Sequence, residues 1–507
     1  MDDDKLLKKF IERRHPEYEG KIAHWKFLTS CYAGGRDWFA DNIFQYLKEG
    51  EKEFGDRVDR AFRFNHSREV VDLVSKYLFK ARVERAEANA SDAVIEFWKH
   101  ATLGGANIAQ YARQISDKSS IYGRIWVVVD SSKSSESTSK ADEKKDAGSI
   151  YSYIVSPQNA LDMAFDERGE LLWILIHEEV RDDEDPIASS GEIESRYRLW
   201  TREEWRLYKA EKEGRKTVVK EVESGIHDLG VVPVFSVDHI TTDESPYSAP
   251  SLIGDIAYLD RAVANYLSNL DAIIQDQTFS QLAMPAQGVL PGDKEYDQLL
   301  TMGTKRVFLF DGEDGAKPFY LSPDPRQAEL IIVAIKQIIN EIYHSVGMAG
   351  ERTKQDNAVG IDNSSGVAKA YDFERVNALL TSKAGALLNA ENRLVELVNL
   401  WAGDENKTDE DIVEYPETFD TRGLYDEFEI ASRLSLIGAP NIMRRQQMEQ
   451  VVDKLFPKLA QDIKRKMLDE LKEWPGDELL PISNASAIPG QDDDTLEDSA
   501  QENEQSN

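Results

Sequence analysis

The sequence predicts an α+β chain that is mostly helical, and three observations carry that prediction. Apolar residues recur at three-to-four spacing over long stretches, as in Ile253, Ile256, Val263, Leu267, Leu270 and Ile274. A block between residues 123 and 236 instead alternates β-branched and aromatic residues between Gly and acidic turns. The hydrophobic share is 41%, enough for a sizeable core, and the 507 residues suggest about three domains.

The formal charge of −32 restricts function before any motif is considered. A strongly anionic chain cannot grip nucleic acid by general counterion release, so any contact with DNA must be local and weak. Anionic membrane surfaces are disfavoured for the same reason. The longest apolar runs, Ile125–Val129, Leu171–Ile176 and Leu330–Ile335, fall far short of a membrane span, so no membrane insertion is expected. The acidic start Met1-Asp2-Asp3-Asp4 lacks a signal peptide's basic residues and apolar core, which predicts synthesis in the cytoplasm. Cys31 is the single cysteine and is expected to be a small buried residue.

Residues 1 to about 120 read as helical, with Val70, Val71, Val74, Leu78, Val94, Trp98, Ile108, Tyr111 and Ile115 on apolar faces. Trp25, Trp38, Phe39, Phe44 and Tyr46 are expected in the core. Gly123–Asp130 and Ser149–Ser156 read as strands joined by Ser131–Gly148, a Ser- and Lys-rich solvated hairpin tip. A strand meander follows through Leu171–Val180, Arg196–Trp200, Trp205–Tyr208 and Thr217–Val222. Gly230–Phe235 reads as a strand that Pro233 confines to an edge.

Ser251–Ala283 contains no Pro and reads as one helix, about 45–50 Å long. Residues 284–322 are turn-rich and β-like. A second helix is expected over Pro325–Val346, and Gly366–Trp401 reads as a third, very long one. Between them, 347–365 is polar and rich in Gly, Asn and Ser. A short strand (Ile412–Phe419) precedes helices over Leu424–Leu436, Asn441–Leu455 and Lys458–Trp474, with Asp426 and Asn441 as caps. The tail from Gln491 holds seven acids and no base, the composition of a disordered extension.

The motif search yields no catalytic or metal site and calls for no cofactor. Gly-rich phosphate loops, the G-x-S-x-G elbow and H-E-x-x-H are absent. The eight histidines lack ligand spacing, and His177-Glu178-Glu179 reads as a polar strand end. Asp311-Gly-Glu-Asp-Gly315 lacks the alternating ligands of a calcium loop and reads as a tight turn. The distinctive feature is mechanical: two long helices flank a small β excursion, then a polar loop leads into a longer helix. Helices of this kind are most easily buried against copies of themselves.

That order of elements resembles the portal proteins of tailed bacteriophages from about residue 150 onward. On this resemblance the fold is a portal-like α+β architecture with a β-rich wing (1–250), two long stem helices (251–283 and 323–346) and a small β-containing clip (284–322). A tunnel loop (347–365), a long wing helix with a strand (366–420), a helical crown (421–480) and a disordered acidic tail (481–507) complete it. The resemblance implies a ring-shaped homo-oligomer, typically of twelve subunits, at one capsid vertex of the virion. Double-stranded DNA would pass through it, driven in by the terminase large subunit and released at infection. Scaffolding and major capsid proteins and the head–tail connector proteins would be its other partners.

A conduit must not hold its cargo, and carboxylates suit that demand. Asp255, Asp260, Asp271, Asp276, Glu329 and Glu341, with Arg261, Arg326 and Lys336, are the candidate channel-facing or intersubunit charges of the stem. In the loop, Arg352, Lys354, Gln355 and Asn357 are candidates for light phosphate contact. Two other readings stand beside the portal: another ring component of a phage particle, such as an adaptor or baseplate protein, and an acidic α+β enzyme.

Overall fold

The computed structural model describes residues 3–80, 82–131, 150–183, 185–213, 216–227, 229–278, 281–285, 307–310, 317–321, 326–347, 366–404, 412–416, 419, 431–432, 434–456, 461–472 and 474. The expected hairpin tip, most of the clip, the tunnel loop beyond Gly347, residues 424–430 of the crown with Asp426, and the acidic tail lie outside the described residues.

Helices α1 (Asp3–Glu12), α2 (Tyr18–Ala33), α3 (Asp37–Asn42), α4 (Glu51–Arg60) and α5 (His66–Leu78) open the chain. Each capped start follows local chemistry: the Asn65 side chain accepts from the Arg68 amide at the head of α5. After a short strand β1 (Glu84–Arg85) come α6 (Asp92–Lys99), capped by Ser91, and α7 (Ile108–Tyr122). Asn107 and Gln110 close a reciprocal capping box on α7. Trp25, Trp38 and Phe39 are buried as expected, and so is Cys31, whose sulfur accepts from the Trp38 indole at 3.3 Å. Phe44 and Tyr46 depart from the expectation at 57% and 41% exposed. Both lie on the surface as plates for arginines: Arg261 sits 5.3 Å from Phe44 and Arg57 3.9 Å from Tyr46.

Gly123 ends α7 at φ +84°, and a Cβ there would lie 2.2 Å from the Ala249 carbonyl oxygen, so only glycine fits. Strand β2 (Arg124–Ser131) follows and is buried along nearly its whole length. It sits between β3 (Ile150–Val155) and β9 (Val234–Asp238), both antiparallel to it, with Val127 opposite Ile154 and Phe235. β9 is an edge strand, as Pro233 requires, but starts after that proline rather than running through it. The meander between them forms one antiparallel five-stranded sheet in sequential order: β4 (Ala160–Phe165), β5 (Leu171–Arg181), β6 (Ile193–Thr201), β7 (Glu204–Glu213) and β8 (Lys216–Ile226). α1 packs on β8, where Ile11 meets Tyr208 and Val219.

Helix α8 (Ile256–Thr278) has 23 residues, about 35 Å, and is shorter than the expected 251–283. Its start gives way to a turn over 252–255, and its end gives way to strand β10 (Gln281–Pro285). β10 pairs in parallel with β11 (Val307–Phe310) and antiparallel with β12 (Phe319–Leu321), so the segment expected to be the clip carries a small sheet. Helix α9 (Arg326–Ser345) packs along α8. Helix α10 (Gly366–Ala402) is continuous over 37 residues, and β13 (Val413–Glu414) returns to pair with β1. α10 lies against α5, α6 and α7 and against β2 and β9, burying Leu380, Leu387, Leu394, Leu397 and Val398.

Residues 1–420 form one compact unit, and residues 421–507 form a second. In the second, α11 (Asn441–Leu455) packs on α12 (Gln461–Leu471), and the Arg445 guanidinium donates to the Trp474 carbonyl. Asn441, expected as a cap, is instead the first helical residue; Pro440 precedes it and no side chain caps the helix. A proline there presets the backbone angle that entry to the helix needs.

Candidate functional site: the helical hairpin and its anchor

The candidate site is the α8–α9 hairpin, because most of the expected stem charges lie on it. The near end of α8 is locked into its own subunit by side chains from residues 42–67. Asp260 is completely buried. Its carboxylate faces His66 Nδ1 at 3.0 Å, accepts from Ser67 Oγ at 2.9 Å and from the Ser67 amide at 3.3 Å, and pairs with Arg63 at 3.4 Å. Arg63 also donates to the Cys31 carbonyl at 2.5 Å and lies 3.8 Å over the Trp38 ring. Burial pulls the Arg63 guanidinium below its usual range, and the Asp260 carboxylate opposes that shift.

The same ladder continues outward. Arg57, 3% exposed, donates to both Glu49 carboxylate oxygens at 2.7 Å and to Ser268 Oγ at 2.8 Å. This bidentate fork holds the Glu49 carboxyl below the ordinary range. Asn265 accepts from the Phe44 amide at 2.9 Å, and Asn269 accepts from the Tyr46 hydroxyl at 2.7 Å. Arg60 pairs with Asp271 at 3.2 Å.

One expected site residue, Asp260, is therefore reassigned. Asp260 is not a channel or intersubunit charge, because its full burial leaves it reachable only by its own chain. Asp271 is paired with Arg60 of the same chain, and Arg261 lies over Phe27, Phe44 and Tyr258. Asp255, Arg326, Glu329, Lys336 and Glu341 are exposed. The Asp276 side chain and the loop residues Arg352, Lys354, Gln355 and Asn357 lie outside what the structure describes.

Apolar packing divides the hairpin in the same way. Val263, Ala264 and Leu267 on α8 and Ile335, Ile339, Ile342 and Tyr343 on α9 are buried within the chain, and the Tyr343 hydroxyl donates to Glu69 at 2.5 Å. Nearer the clip, Ile274 is 50% exposed, Leu330 71% and Val333 60%.

The long helix contributes two buried charges that the sequence reading missed. Lys383 is fully buried and donates to Ser119 Oγ at 2.5 Å; burial lowers it to about 7, with Asp117 and Asp238 opposing the shift. Asp117 is itself raised to about 6, chiefly by burial. Glu391 accepts both nitrogens of Arg85, at 2.5 and 3.1 Å, and the Tyr415 hydroxyl at 3.0 Å. Both residues sit on the apolar stripe itself, Lys383 between Leu380 and Leu387 and Glu391 between Leu387 and Leu394, and that position was the available signal.

Among the described residues, no group of three or more His, Cys, Asp or Glu side chains is placed to hold a metal ion. No described helix is long and apolar enough to cross a membrane. Buried ion pairs here join helices, and part of the hairpin leaves apolar side chains exposed. The chain belongs to the phage portal protein family of the SPP1 Gp6-like type, which matches residues 5–473. That is a family of structural proteins, and a role in viral DNA packaging as a portal ring protein follows from the membership.

Three solved structures are similar to the chain at 12% identity. The neck of an empty GTA particle computed with C6 symmetry aligns over 80% of this chain and 90% of that one, with a TM-score of 0.37. The neck of a native GTA particle computed with C12 symmetry aligns over 80% and 89%, at 0.36. The virion of a native gene transfer agent particle aligns over 87% and 99%, at 0.37. No curated protein matches.

Proposed function

We propose that copies of this chain close into a ring of about twelve subunits around a channel for double-stranded DNA at one capsid vertex. The α8–α9 hairpin is the stem, and the clip-proximal surface of Ile274, Leu330 and Val333 is covered by neighbouring subunits. The observation that supports this reading most directly is that the subunit leaves these side chains half-exposed or more, while burying the near end of the same helices. Asp255, Glu329, Lys336 and Glu341 remain as charges that can face the channel or a neighbour. Arg352, Lys354, Gln355 and Asn357 make light phosphate contacts from the tunnel loop. The clip docks the terminase large subunit and later the connector proteins, and scaffolding and major capsid proteins meet the wing. The chain is made in the host cytoplasm, carried in the virion, and performs no catalysis.

Native mass spectrometry and negative-stain microscopy test the ring. The expected particle is many times the 57.4 kDa chain and has a central hole. A stable monomer at micromolar concentration overturns the reading. Deleting residues 350–362 is expected to leave rings intact and impair packaging or DNA retention, and an unchanged phage yield removes the loop from the mechanism.

A further inference from the structure

A cavity lies away from the hairpin, between α6, the start of α7 and the segment after α5. It measures about 590 Å³. Its apolar wall includes Val83, Trp98 and Ile108, all buried. Its charged lining is Arg82, Arg85, Lys99 and Arg113 against Glu87 alone. Four cations to one acid is the reverse of a chain whose net charge is −32.

The four cations are not equivalent. Arg85 is committed to Glu391 through two hydrogen bonds and fixes the wall. Arg82 and Arg113 are exposed, and Arg113 lies 5.3 Å from the Phe79 ring. Lys99 is 62% exposed and meets Glu96, itself 66% exposed, at 3.4 Å, a pair that a competing anion can replace at little cost. Asn107 and Ile108 bring the first turn of α7 to the cavity, where the helix dipole is positive, although the capping box already occupies the Asn107 and Gln110 amides. Among the described residues, the Trp98 indole nitrogen in the same wall is buried without a hydrogen-bond partner. A bare inorganic anion would use the cations and leave the apolar wall wet. An anionic group carried on an apolar body uses both.

We propose that this cavity is a docking site for an acidic peptide segment of a partner protein. The segment would place an aliphatic or aromatic side chain on the Val83, Trp98 and Ile108 wall and carboxylates against Arg82, Lys99 and Arg113. The proposal needs the cavity alone and stands whether or not the ring reading does.

The test titrates the full-length chain against a short fluorescein-labelled peptide with one Phe among Glu and Asp residues. Saturable binding is expected. It should weaken about tenfold or more when Phe is replaced by Ser, when the acids become amides, or in the Arg82→Glu, Arg113→Glu double variant. Absence of saturable binding overturns the proposal, as does binding that the double variant leaves unchanged. Full competition by pyrophosphate at the peptide's own concentration makes the cavity a simple anion site and also overturns it. So does preferential binding of a DNA oligonucleotide. If the double variant is misfolded by circular dichroism, Lys99→Glu on the exposed end of α6 takes its place, with weaker peptide binding expected and unchanged binding counting against the site.

Discussion

The two ends of the α8–α9 hairpin are built from similar residues and treated differently. At the near end, Asp260 and Leu267 are sealed by the subunit's own helices. At the other end, Ile274, Leu330 and Val333 have the same apolar character and are half-exposed or more among the described residues. Buried contacts are thus concentrated at one end, and exposed apolar side chains at the other. On α8 the stripe through Val263 and Leu267 passes from buried to half-exposed at Ile274, whereas on α9 Leu330 and Val333 lie on the face opposite the buried Ile335, Ile339 and Ile342, so the two helices leave apolar surface open in different ways.

The largest effect on the subunit is expected from Asp260→Ala. Removing the carboxylate leaves Arg63 and His66 buried without their acid and should cost about 3–5 kcal/mol, read as a fall in the midpoint of chemical denaturation. A loss under about 1 kcal/mol would break the comparison at its sealed end. Leu267→Ala is expected to cost about 2–4 kcal/mol by the same measurement, because a buried side chain is deleted within the chain. An acidic residue at 267 would for that reason damage folding before it reached any ring contact.

Lys383 sharpens the rule that the sealed region tolerates charge only at a cost. An unfolded lysine titrates near 10.4, and burial lowers this one to about 7 in the folded chain. Between those values the unfolded chain holds a proton that the folded chain lacks, so stability rises with pH across that window and the full cost stands below it. Lys383→Met should therefore stabilise the subunit at pH 6 by about 1–3 kcal/mol, with the gain fading toward pH 10. Ser119 keeps the Ile115 and Ser116 carbonyls as acceptors, so no orphan is left there. Thermal melts across that pH range check both the sign and the fade.

The smallest change in subunit stability, within about 0.5 kcal/mol, is expected from the Leu330→Asp, Val333→Asp pair, which touches only exposed positions. The same pair should abolish rings in light scattering. Rings of normal size would show that the clip-end surface faces elsewhere.

Much of this was legible from periodicity. The helices of the hairpin and the long α10 announce themselves through apolar spacing, and the meander through alternation and turn residues. What was not legible is pairing across distance. Asp260 falls on the stripe between Ile256 and Val263, yet its partners are His66, Ser67 and Arg63, nearly two hundred positions away. Read alone, an acid on a stem helix looks like a channel charge; read with those partners, it is a fastening. Lys383 and Glu391 escaped for the same reason, since Ser119 and Arg85 are brought to them only by the fold. Phe44 and Tyr46 failed in the opposite direction: aromatic bulk suggested the interior, whereas cationic neighbours hold them at the surface.

Gly123 has a mechanical corollary. Its α-carbon lies against the main chain at Ala249, just where the chain turns toward α8, and Ser251 and Leu252 bond to the carbonyls at the end of α7. Main-chain contacts have no rotamers and so almost no give. A load carried along the hairpin would therefore meet the end of α7 through the Ala249 and Leu252 main chain and the short Ser251 hydroxyl, contacts with little room to yield.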